Sequence, residues 1–174
     1  METPALTGFV GQRRLDHALV IGAGLLAFWA GYFGAAVAFF GGTAALAPGT
    51  EVAGARRWAG VVGAMACWGW FSLAFVLAKG GPVLNATLYP VLTAGLAPIV
   101  GRWLVFGPAP GELRAGLLDF SLSPLVDALL ILLFGGSFFV TLLTLWASAL
   151  GEEERVEWER TNLPDEFYDE FVEE

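Results

Sequence analysis

The sequence predicts an all-α integral membrane protein, four transmembrane helices followed by a short acidic C-terminal tail, and three observations carry the prediction. First, apolar runs at residues 18–47, 58–78, 83–106 and 124–150 each reach the roughly 20 residues that a helix needs to cross a hydrocarbon layer. Second, the chain is 56% hydrophobic with a mean hydropathy of +0.66, too apolar for a water-soluble domain of this size. Third, charge is segregated. Of the formal −8, eleven carboxylates from Glu152 onward against Arg155 and Arg160 give the tail −9, which leaves +1 for the rest. Three parts follow: a collar at 1–17, a four-helix domain at 18–150 and an acidic soluble tail at 151–174.

The collar carries Arg13, Arg14, Asp16 and His17 just before the first apolar run. Paired arginines and a small-x-small triplet, Ala45-Leu46-Ala47, resemble a cleavable signal sequence. The run is much longer than a signal core, however, and Pro48 follows the triplet directly, so an uncleaved helix is expected. Within it Ala23, Ala27, Gly31 and Ala35 recur every four residues, and Ala30, Gly34, Ala38 and Gly42 repeat the interval on a neighbouring face. Small residues at this spacing let two helix backbones approach closely in lipid. The partner is either another helix of the chain or a second copy.

Pro48-Gly49 and Gly54 predict a turn, and Arg56-Arg57-Trp58 an interfacial anchor before the second helix. Trp68 and Trp70 fall near mid-span, where they are expected to fill space against the small faces of the first helix. Lys79-Gly80-Gly81-Pro82 ends this run. The third contains Pro90 and Pro98, which remove the bonds to the carbonyls of Ala86 and Ala94 and predict a kink. Asn85, Tyr89 and Thr93, at i, i+4 and i+8, form a polar strip on it.

Pro108 and Pro110 then break the chain, and residues 111–120 mix leucines with Glu112, Arg114 and Asp119, as in a short interfacial helix. Ser123-Pro124 supplies an N-cap and first-turn proline for the fourth helix. Along that helix Ser137, Thr141, Thr144 and Ser148 share one narrow face. Both polar strips are expected to pack inward and bond across helices. Arg102, near the end of the third helix, and Asp127, near the start of the fourth, lie at one depth and are a candidate ion pair. The tail alternates acids with Trp158, Phe167, Tyr168 and Phe171 around Asn162-Leu163-Pro164, a composition for disorder or two short helices.

Composition bounds the chemistry. A lone Cys67 and a lone His17 exclude an intramolecular disulfide, a cysteine cluster and a bis-histidine haem within one chain. No phosphate-binding glycine loop, GxSxG elbow or HExxH motif occurs. Gly135-Gly136-Ser137 has no histidine placed to activate the serine. The reading is therefore non-enzymatic, with no cofactor and no metal. The acidic end opposes nucleic-acid binding.

Eight of the nine basic residues are Arg, Ala and Gly are abundant, and isoleucine is rare. With so acidic a tail, this composition resembles that of proteins from halophilic archaea, whose exposed surfaces are rich in carboxylates. The resemblance is one of composition style, covers chiefly the tail and implies no functional residue.

Four spans place both termini on one side. Arg13, Arg14, Lys79, Arg155 and Arg160 lie there, against Arg56, Arg57, Arg102 and Arg114 opposite, a small excess that favours cytoplasmic termini in the cell membrane. The expected function is a structural or accessory subunit in the bilayer, associating as a homo-oligomer or within a larger membrane complex through its small-residue faces; the tail is read as a solvated acidic surface, with a docking motif for a basic protein partner as the other reading. The alternative is an oligomeric carrier or channel subunit with a polar path along the third and fourth helices.

Overall fold

The computed structural model describes residues 6–47, 54–107 and 122–167, and all regular structure among them is helical. Four helices are long and apolar enough to cross a membrane. The first, α1, is Arg14–Phe40, so helix begins within the charged collar and stops seven residues before the apolar run ends. The stop is local: Gly41 adopts φ 78° and the Gly42 N–H returns to the carbonyl of Ala36 at 3.0 Å, a closure that a residue without Cβ makes without strain. A short 3-10 turn, Thr43–Leu46, folds back and buries Ala45 and Leu46.

α2 is Ala55–Val76. It packs along α1, against the last long helix and against the third, and is the hub of the bundle. The α1–α2 approach depends on glycine. A Cβ on Gly31 would lie 2.9 Å from the carbonyl oxygen of Val62, and one on Gly63 would lie 3.0 Å from the carbonyl oxygen of Phe28. The face containing Gly31 and Ala35 therefore has its partner within the chain. On the neighbouring face Ala30, Gly34 and Ala38 are exposed. Phe28, Tyr32, Cys67, Trp68 and Phe71 fill the core between these helices.

The third apolar run divides into α3, Pro82–Ala86, and α4, Leu88–Phe106. The break falls at Thr87, three residues before Pro90, because the proline ring has no N–H for the carbonyl of Ala86 and crowds it. Pro90 then occupies the first turn of α4, where its missing donor matters least. Pro98, by contrast, sits inside a continuous helix. Trp29 of α1 donates to the adjacent carbonyl of Ala97 at 2.8 Å, and Gly101 one turn on leaves room for the Trp29 ring.

α5, Leu122–Ala149, is the fourth apolar helix, and α6, Glu152–Asn162, follows after a break at Gly151. α5 rests on α2 through glycine, since a Cβ on Gly135 would fall on the Trp68 indole. Trp68, expected to fill space against the small faces of the first helix, meets Gly135 of α5. The predicted interfacial helix at 111–120 lies outside the described residues.

Candidate functional site

At one end of the bundle three separate parts of the chain are tied together. The Phe9 N–H donates to the carbonyl of Gly80 and the Val10 N–H to that of Asn162, each at 3.0 Å. Gln12 bridges the end of α2, its Nε2 donating to the carbonyl of Ala78 at 3.1 Å while its Oε1 accepts from the Gly80 N–H at 3.2 Å. The segment before α1, the α2–α3 turn and the end of α6 therefore meet at one level. Both described ends of the chain lie on the same side of the bundle.

Aromatic rings fill this junction. Phe9 is buried and packs edge-on against Phe75 and Trp158; Trp158 stacks on Phe75 at 5.4 Å and meets Trp146 at 5.1 Å. The Trp158 Nε1 donates to the carbonyl of Val76 at 3.1 Å, a group left over at the end of α2. The acidic tail, expected either as disorder or as two short helices, begins as a helix whose indole docks on the bundle. Its carboxylates at 152–154 and 157 are exposed, while Leu163 is buried. The clue in the sequence was Trp158, a large apolar ring among acids. Its partner Phe9 carried no signal of its own. The remainder of the tail, from Tyr168 onward, lies outside the described residues.

The polar strip of the third run points inward. Asn85 is fully buried and its Nδ2 donates to the carbonyl of Lys79 at 2.7 Å, holding the α2–α3 turn. Tyr89 is half-buried, its hydroxyl 2.7 Å from Nδ1 of His17 on α1, and Thr93 is buried. The His17–Tyr89 contact was not anticipated, because the two residues are 72 positions apart. Trp70 makes a further link, its Nε1 donating to the carbonyl of Val20 at 2.9 Å.

The strip on α5 does the opposite, and here the expectation of inward packing is corrected. Ser137, Thr141, Thr144 and Ser148 are all exposed. Their hydroxyls do not reach across helices: Thr141 donates to the carbonyl of Ser137 at 2.8 Å and Ser148 to that of Thr144 at 2.7 Å. The reason is packing. Gly135 and Phe139, buried against α2, claim the inner face of α5, and a glycine backbone on an indole fits more closely than a hydroxyl row would. Since α4 and α5 touch only slightly, the two strips line no common space.

At the other end, Arg102 is half-buried, near Tyr32 and Arg56. The Asp127 side chain lies outside the described residues, and so does the candidate Arg102–Asp127 pair. Comparison with known protein families, with curated proteins and with solved structures finds no match to the chain.

Proposed function

We propose that the chain is a non-catalytic multi-pass membrane protein, an accessory or structural subunit that joins other membrane helices through the outer face of α5, with both termini cytoplasmic. One observation carries this reading. The helix with the highest hydropathy is also the least covered, 11% of its most apolar window being buried, and its uncovered face bears a row of four hydroxyl residues. Hydrocarbon offers a hydroxyl no partner. Small and hydroxylated residues are enriched where membrane helices meet, because they allow close approach and bond across the contact. Thr141 and Ser148 keep acceptor capacity after donating to their own helix.

The shared level of the two ends supports the even number of crossings, and the bases at that level supply the cytoplasmic assignment. The exposed carboxylates of α6 and its tail are read as the soluble surface of that side. The test is thiol accessibility in native membranes, in a Cys67→Ser background with single cysteines at Ser137, Thr141, Thr144 and Ser148. Protection from a small water-soluble reagent at all four, with labelling of a control at Glu153, is the expected result. Labelling along the row would instead make it a water-filled path and overturn the subunit reading.

A further inference from the structure

A groove of about 380 Å³ runs between the start of α1 and the end of α2. Its body is apolar, walled by Leu19, Ala23, Trp70 and Leu77, and its mouth is charged, with Asp16 and Lys79. From Asp16 to Ala23 it descends seven residues of helix, roughly 10 Å. The Trp70 wall is fixed in advance by its bond to the carbonyl of Val20.

The charge at the mouth is lopsided. Asp16 is already engaged by Arg13, accepting from its backbone N–H at 2.9 Å and from its Nε at 3.3 Å, which also raises the Arg13 pKa above its ordinary value. Lys79 is exposed and forms no ion pair among the described residues, and Arg14 is exposed nearby on the first turn of α1. The mouth therefore presents positive charge above an apolar slot at the end of two membrane-length helices. A second cavity, about 390 Å³ beneath α6 and lined by Phe75, Leu143, Trp146 and Trp158, offers a contrast. There the one cation, Arg155, is paired with Glu159 at 3.7 Å on an acidic helix.

We propose that the α1–α2 groove binds a bilayer phospholipid, with one hydrocarbon chain in the slot and the phosphate at Lys79. The occupant follows from the shape of the chemistry: an amphiphile matches an apolar body with a polar mouth, and an anionic headgroup matches an exposed lysine that no ion pair among the described residues engages. The proposal rests on insertion of the chain in a bilayer and is independent of what α5 contacts.

The test uses the full chain in phosphatidylglycerol nanodiscs doped with a phosphatidylglycerol that carries a photoactivatable acyl chain, or with the matching diacylglycerol, and maps the adducts by mass spectrometry. Adducts at residues 19–23 and 70–77 are expected, about fivefold more from the phosphate-bearing probe, the effect of one basic residue near an anionic lipid. Lys79→Gln should erase that excess. Ala23→Phe should deplete groove adducts while those at the exposed Leu133 and Leu145 of α5 persist. Equal labelling by the two probes, or an excess that survives Lys79→Gln, overturns the phosphate site. Labelling of α5 with none in the groove overturns lipid occupancy and points to a protein occupant, such as a second copy. Absence of adducts everywhere would overturn insertion itself.

Discussion

α2 and α5 are both apolar helices of membrane length, yet 56% of the most apolar window of α2 is buried against 11% of that of α5. α2 is enclosed because its neighbours bring glycine to it: Gly24 and Gly31 from α1 and Gly135 from α5 each receive one of its side chains or its backbone. α5 brings one glycine of its own, Gly135, to α2, with Phe139 buried beside it, and leaves its opposite face outward. Close packing in this fold is thus set by where glycine meets a large ring, and hydroxyl rows are left to whichever side the glycines do not occupy. The strip Asn85, Tyr89 and Thr93 points inward because each of α3 and α4 leans on the α1–α2 pair, whereas the strip on α5 lies outside the Gly135 contact.

The largest expected effect tests this rule within α1. Gly31→Leu should destabilise the protein by about 3 kcal/mol, since the added atoms meet the α2 backbone. Gly34→Leu, one turn fraction away with nothing within 4 Å of its added Cβ, should be neutral or slightly stabilising through helix propensity. Thermal unfolding in mild detergent measures both, and equal losses would refute the glycine rule. Next, Trp158→Ala should cost about 2 kcal/mol by removing the ring contacts and the bond to Val76 that dock α6. Limited proteolysis should then cut near Gly151 sooner than in the wild type.

The comparison between the two strips is sharpened by paired substitutions. Asn85→Leu should cost about 1–2 kcal/mol, because it deprives the partly buried carbonyl of Lys79 of its donor. Thr141→Val, on the exposed row, should change monomer stability by less than about 0.5 kcal/mol. A double-mutant cycle on His17 and Tyr89 should return a coupling of roughly 1 kcal/mol. Additive losses would show that the 2.7 Å contact contributes nothing. An effect of the opposite sign is expected at Ala78, whose φ of 50° is left-handed for a residue with a Cβ. Ala78→Gly should stabilise by about 1 kcal/mol.

Hydropathy was enough to place all four long helices, because each carries an apolar stretch long enough to cross a membrane. Helix ends were less legible. The first apolar run continued to Ala47, but Gly41 and Gly42 closed the helix at Phe40, and composition alone does not rank a glycine pair above seven further apolar residues. The Pro90 effect was foreseen and its position was not, since the strain is relieved one turn upstream at Thr87. Periodicity grouped Ser137, Thr141, Thr144 and Ser148 on one face, and all four are exposed. It could not orient that face, because orientation depends on Gly135 meeting Trp68, a contact 67 residues apart in the chain. The junction of Phe9, Phe75, Trp146 and Trp158 was hidden for the same reason: four isolated aromatics converge only in three dimensions.

The central claim, that the outer face of α5 contacts other membrane helices, is tested most directly by oxidative cross-linking in native membranes. Single cysteines would be placed at each position from Gly136 to Ser148 in a Cys67→Ser background. The account predicts adducts that peak at Ser137, Thr141, Thr144 and Ser148 and vanish between them, the 3.6-residue period of one docked helix face. Adducts without period, or none at these four positions while exposed cysteines on α1 cross-link freely, would contradict it.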